Sequence, residues 1–67
     1  MPTYKPSEVI KELKKHHGCE TIKGSGGSHQ KIRQTDTGLT SVVITNRDLV
    51  EHEVKTIYTQ LGLKWEN

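Results

Sequence analysis

A histidine stands among cations directly after a glycine-rich segment of the chain. His29 follows Gly24-Ser25-Gly26-Gly27 and Ser28, and Lys31 and Arg33 come after it at alternate positions. Histidine can give or take a proton near neutral pH, because its unperturbed pKa is about 6.5. RNA cleavage needs a base for the 2′-hydroxyl, a proton donor for the leaving oxygen and cations near the phosphate. The pattern therefore predicts a phosphodiester site, with a merely polar surface histidine as the commoner alternative.

Two helices and three strands are predicted around these residues. The first helix covers residues 6–17, with Pro6 at its first position and Gly18 as its stop signal. Alternation and β-branched residues then predict three strands, over residues 19–23, 28–34 and 39–45. The glycine-rich segment and an Asp/Gly-type turn join them, so the strands form an antiparallel meander.

A second helix is predicted after the third strand. Asp48 is expected to cap it, with Glu51 three residues later as the other half of a capping box. Its apolar face recurs at helical spacing: Val50, Val54, Ile57, Tyr58 and Leu61. Gly62 ends it, and Leu63 folds back as in a Schellman-type cap. Two amphipathic helices need one apolar surface to cover. The predicted fold is therefore α+β (α-β-β-β-α), a three-stranded antiparallel sheet with two helices on one face.

The alternation of the second strand predicts which residues the open sheet face carries. Ile32 must point toward the helices, which sends Gln30 inward as well. The open face then carries His29, Lys31 and Arg33, and Lys23 joins them from the end of the first strand. In the third strand, if Val42 and Ile44 point inward, Val43 lies exposed beside His29.

Length and composition limit the classes of protein to which the chain can belong. Its 67 residues, 30% of them hydrophobic, suffice for a single domain over 1–67 with a small core and little room for a buried cofactor. The longest apolar run is Val42-Val43-Ile44, so we expect neither a membrane span nor a signal peptide. Cys19 is the single cysteine and has no internal disulfide partner, which favours the reducing cytoplasm.

Positive charge is concentrated in the first half of the chain. Residues 1–33 carry seven Lys and Arg against three Glu, a net charge of +4, whereas the remaining residues carry −2. This asymmetry suits a polyanion bound on one side of the molecule. The lysines of the first helix would contact phosphates in an RNA-binding protein and are otherwise ordinary surface residues: Lys11, Lys14 and Lys15.

The glycine-rich segment and both helices resemble those of HicA toxins, the RNA-cleaving halves of HicA–HicB toxin–antitoxin modules. Residues 24–32, GSGGSHQKI, are similar to the hairpin of that family that is centred on a Gly-Ser-His motif. Residues 48–63 resemble the closing helix of the family, and residues 7–13 resemble its first helix. The similarity covers nearly the whole chain in the same order. The chain departs from the family at 45–47, where a proline and a histidine are usual, and at Cys19, where an aromatic residue is common.

The resemblance implies a fold like a double-stranded-RNA-binding domain and a toxin endoribonuclease that cleaves mRNA and so inhibits translation and growth. It implies that His29 is the catalytic residue and that a HicB-like antitoxin covers the His29 face. We expect acid–base chemistry without a metal or other cofactor. The remaining contacts to RNA are expected from cations and from the turn, where the backbone can come close to the substrate: Lys23, Lys31, Arg33, Gly26, Gly27 and Ser28.

Two other classes of function remain open from the sequence. One is a non-catalytic RNA-binding module of the same fold, in which His29 is a contact residue only. The other is a protein-interaction domain whose open sheet face docks a partner. A metal site at His16, His17 and Cys19 is not expected, because no second cluster completes a set of four ligands. His52 is interpreted as a surface residue in preference to a second catalytic group.

Overall fold

Five strands and two helices make up the part of the chain that the computed structural model describes, residues 2–22 and 27–65. In chain order these are β1 (Thr3–Tyr4), α1 (Pro6–His16), β2 (Cys19–Ile22), β3 (His29–Gln34), β4 (Thr40–Ile44), β5 (Leu49–Val50) and α2 (Glu51–Gln60). Strands β2, β3 and β4 form a three-stranded antiparallel sheet in that order, and β1 pairs with β5. The predicted α+β class and the meander are confirmed, whereas the β1–β5 pair was not predicted. Neither helix of the described residues is long and apolar enough to cross a bilayer.

Helix α1 begins and ends as its sequence predicts. Pro6 occupies the first turn, and the backbone N–H groups of Glu8 and Val9 both donate to the carbonyl of Lys5 at 3.0 Å. Gly18, just beyond the helix, has a φ of +64°, a conformation that glycine adopts without the cost that a Cβ would add.

The start of α2 differs from the sequence prediction. Asp48 does not cap it; the helix begins at Glu51, and the N-cap is Val50. Valine has no side-chain acceptor, so only one half of a capping box forms, in which the Val50 N–H donates to the Glu53 carboxylate at 3.0 Å. The reason is that Leu49 and Val50 are extended and pair with β1. Val50, which was predicted to belong to the apolar face of the helix, is consequently 39% exposed. Leu49 is buried in the core in its place.

The end of α2 follows the prediction closely. The N–H of Leu63 donates to the Tyr58 carbonyl at 2.8 Å, and the N–H of Gly62 donates to the Thr59 carbonyl at 3.0 Å. With a φ of +73° at Gly62, these two bonds form a Schellman motif. Leu63 is half-buried against the core, as the cap requires.

A single apolar cluster joins both helices to the inner face of the three-stranded sheet. Its buried members are Val9, Leu13, Cys19, Ile32, Val43, Leu49, Val54, Ile57, Tyr58 and Leu61. Tyr4 and Trp65 pack against this cluster in an edge-on arrangement, with ring centroids 5.6 Å apart. Burial raises the pKa of the Cys19 thiol, so Cys19 acts as a small apolar side chain, as predicted.

The orientation of β4 is opposite to the expectation. Val43 is completely buried and Val42 is 45% exposed, because the register pairs Val43 with the inward Gln30 and Val42 with the outward Lys31. Directly paired residues of antiparallel strands lie on the same face. Ser41 therefore also points inward, where its hydroxyl donates to the Gln60 side-chain carbonyl at 2.6 Å.

Candidate active site

Strand β3 presents its histidine and its two cations on the outer face of the sheet, away from the helices. His29, Lys31 and Arg33 are exposed, whereas Ile32 between them is completely buried. This alternation confirms the predicted orientation of the strand. The structure thus brings together three of the residues predicted for the site, all on one strand.

Arg33 forms an ion pair that the sequence analysis missed. The register places Glu20 directly opposite Arg33, and the two side chains form a salt bridge across β2 and β3. The orientation of β2 could have revealed it, because an inward Cys19 sends Glu20 outward beside Arg33. The negative charge of Glu20 lies next to the cation predicted to bind phosphate.

Lys31 has different neighbours. On the outer face it lies between Ile22 on β2 and Val42 on β4. Ile44, directly opposite His29, adds a third aliphatic residue to this face. Among the described residues, the end of the sheet that carries His29 therefore combines one cation with aliphatic side chains, whereas the opposite end carries the Glu20–Arg33 ion pair.

A groove of about 830 Å³ separates the β4 side of the sheet from α2. The sheet contributes His29, Val42 and Ile44 to its lining, and α2 contributes His52, Thr56 and Gln60. Leu49 and Ile57 line it as well. The groove therefore has a histidine on each side, His29 from the sheet and His52 from the helix, an arrangement that was not predicted.

An ion pair supports the start of α2 beside this groove. The Arg47 guanidinium donates to both carboxylate oxygens of Glu53, at 2.8 Å for the Nη1–Oε1 pair. These bonds, with the N–H of Val50, lower the pKa of the Glu53 carboxyl to about 2. Arg47 also donates to the backbone carbonyl of Asp48 at 3.0 Å, which ties the preceding loop to the helix. The interaction fixes the helix end that carries His52.

The turn before His29 is only partly described. Lys23 and Gly26, both predicted to contact RNA, lie outside the described residues. Gly27 has a φ of +43°, and a Cβ there would meet no atom within 4 Å, so the constraint at this position is conformational. The carbonyl of Ser28 accepts the N–H of Thr45 at 2.7 Å, which anchors the turn to the end of β4.

The predicted lysines of α1 lie away from His29. Lys11, Lys14 and Lys15 are exposed, and with Ser7 and the half-buried Ile10 they line a shallow depression of about 510 Å³. Helix α1 covers the inner face of the sheet through Val9 and Leu13, whereas His29 is on the outer face. The structure therefore separates the predicted RNA contacts into two surfaces of a molecule 18 Å across in its shortest dimension.

Comparison with known proteins adds nothing to this geometry. No family model, no curated protein and no solved structure matches the chain.

Proposed function

We propose that this chain is an RNA-cleaving toxin of the HicA kind, with a fold like a double-stranded-RNA-binding domain, that cuts mRNA in the cytoplasm by metal-independent acid–base chemistry. One observation carries the proposal: His29 is exposed on the open sheet face, two residues from Lys31, and lines the groove between β4 and α2. An imidazole in that position can exchange a proton with a substrate while a cation holds the phosphate.

The proposed reaction is a transesterification within the RNA strand. The 2′-oxygen loses its proton and attacks the adjacent phosphorus, the bond from phosphorus to the 5′-oxygen breaks, and that oxygen gains a proton. The products are a 2′,3′-cyclic phosphate and a 5′-hydroxyl end. His29 transfers one of the two protons, and Lys31 stabilises the charge that develops on the non-bridging oxygens.

The charge of the outer face favours cleavage over simple binding. An RNA-binding module depends on many phosphate contacts, because each neutralised phosphate releases counterions. The described part of this face has only Lys31 and Arg33 as cations, and Arg33 is paired with Glu20. The described part of this surface is suited to holding one phosphate beside a histidine.

A partner protein on the same face fits the aliphatic residues around His29. Val42 is exposed to 45%, and the half-buried Ile44 and Ile22 extend the apolar area on either side of β3. Apolar side chains do little for a phosphate but provide area for a protein interface. A HicB-like antitoxin that packs on Val42 and Ile44 would cover His29 and exclude RNA.

The deciding experiment compares the wild-type chain with His29→Ala and His16→Ala on one mixed RNA substrate in the presence of EDTA. His16 is exposed at the end of α1, outside the groove, which makes it the matched control. We expect the wild type and His16→Ala to cut, and His29→Ala to bind RNA without cutting. Cleavage by all three proteins would show that His29 is not catalytic. Binding of RNA by all three without any cleavage would support the binding module.

A further inference from the structure

The groove between β4 and α2 brings two histidines from distant parts of the chain to one cavity. His29 is the first residue of β3, and His52 is the second residue of α2. Both line the same space of about 830 Å³, one from the sheet side and one from the helix side. Both histidines therefore border the one groove that a substrate strand would occupy.

The four histidines have different surroundings, and only two of them line this groove. His17 packs edge-on against Tyr58, with ring centroids 5.3 Å apart, and is half-buried in a structural role. His16 is exposed at the other side of the molecule. The imidazole of His52 is exposed, and among the described residues no hydrogen bond holds it; only its backbone carbonyl accepts a bond, from Thr56 at 2.9 Å.

We propose that His52 is the second proton-transfer residue of the cleavage reaction. The inference rests on the proposed function, which leaves one proton transfer unassigned. In the transesterification, one histidine accepts the proton of the 2′-hydroxyl, and the other donates a proton to the departing 5′-oxygen. After one turnover, the two have exchanged protonation states and recover them from water.

The arrangement of the groove fits the geometry of this reaction. The attacking 2′-oxygen and the leaving 5′-oxygen lie on opposite sides of the phosphorus in an in-line displacement. The two proton-transfer groups must therefore approach from different directions, which His29 on the sheet and His52 on the helix can do. Arg47 makes two bonds to Glu53 at the start of α2, the end of the helix that carries His52. These bonds limit the movement of the helix side of the groove.

The test uses a dinucleotide substrate in which sulfur replaces the 5′-bridging oxygen. A thiolate leaves without being protonated, so this substrate needs a general base but no general acid. Each variant, His29→Ala and His52→Ala, is compared with the wild type on the oxygen and the sulfur substrate, with His16→Ala as the control. His52→Gln is the second variant at that position, and circular dichroism checks the fold of every protein.

We expect both His29→Ala and His52→Ala to cut the oxygen substrate at least about 100-fold more slowly than the wild type. We expect the sulfur substrate to restore the rate of one variant and not of the other, and the restored variant identifies the general acid. The inference is overturned if His52→Ala cuts the oxygen substrate at the wild-type rate. It is also overturned if the sulfur substrate restores the rate of both variants or of neither. These outcomes leave the role of His29 in the proposed function intact. An inactive wild-type protein instead overturns the proposed function together with the inference.

Discussion

The side chain of Gln34 connects the end of β3 to two other parts of the chain. Replacing it tests how the strand that carries His29 is held in place. The side chain is 6% exposed. Its amide nitrogen donates to the His17 carbonyl at 2.8 Å, and its amide oxygen accepts the N–H groups of Asp36 at 2.6 Å and Thr37 at 3.2 Å. One residue thus joins the end of α1 to the turn between β3 and β4, and that turn sets the register on which both faces of the sheet depend.

The change Gln34→Leu keeps the approximate size of the side chain and removes all three hydrogen bonds. A typical hydrogen bond contributes about 1 kcal/mol net, and the two turn amides can regain water because Asp36 and Thr37 are exposed. The apolar leucine offsets part of the loss. We therefore expect a loss of about 2 kcal/mol, which lowers the melting temperature of a domain of this size by roughly 8–16 °C.

The matched control is Gln30→Leu, on the same strand and the same face. Gln30 is half-buried, and its amide nitrogen donates to the Ile22 carbonyl on the adjacent strand β2 at 3.2 Å and to the neighbouring Lys31 carbonyl at 3.1 Å, so it reaches neither a helix nor a turn. We expect it to lose less than about 1 kcal/mol. Urea titration measures both free energies of unfolding, and hydrogen exchange reports the amides of Asp36 and Thr37. Equal losses of unfolding free energy in the two variants, or unchanged hydrogen exchange at the turn in Gln34→Leu, would refute this role of Gln34.

Three further results are expected. Arg47 holds the pKa of Glu53 near 2, below the unfolded value of about 4.3, so their pair stabilises the fold fully above about pH 5 and loses its effect as the pH falls toward 2. Urea titrations over that range should show this step in the wild type and a smaller one in Arg47→Ala, in which the Val50 N–H still donates to Glu53. Glu20→Gln should free Arg33 for phosphate and steepen the salt dependence of RNA binding by about one unit, whereas an unchanged slope would show that Arg33 does not reach RNA. Gly27→Ala should cost about 1 kcal/mol of stability at its φ of +43° and Gly27→Asn less, as thermal melting would show.

Regular patterns allowed much of the fold to be predicted. Apolar spacing and terminal glycines predicted the two helices. The alternation in β3 predicted the outward orientation of His29 correctly, because Ile32 is the single strongly apolar residue of that strand. The same reasoning failed in β4, where Val42-Val43-Ile44 is apolar throughout and has no period. Only the pairing with β3 decides which of these residues is buried, and that pairing depends on the turn that Gln34 holds.

The groove could not be predicted for a different reason. Strands β1 and β5 are two residues long, too short to show a period, yet their pairing delays the start of α2 to Glu51. The buried face of α2 sets which way His52 points, but the place at which that helix packs against the sheet depends on tertiary contacts that no local pattern encodes. The sequence favoured a surface role for His52 because a cation is disfavoured in the first turn of a helix.

The two ends of the outer sheet face differ in charge and in apolar surface, and this difference affects what the face can bind. Glu20 forms an ion pair with Arg33 at one end, so Lys31, at the end near His29, is the unpaired cation among the residues of this face that the structure describes. Val42 gives that same end an apolar neighbour that a phosphate does not need. Under the proposed function, RNA and a protein partner would favour the same end of the sheet for different reasons, RNA for its cation and the partner for its aliphatic surface. A protein that buries Val42 must lie over the groove, and its binding would compete directly with that of the substrate.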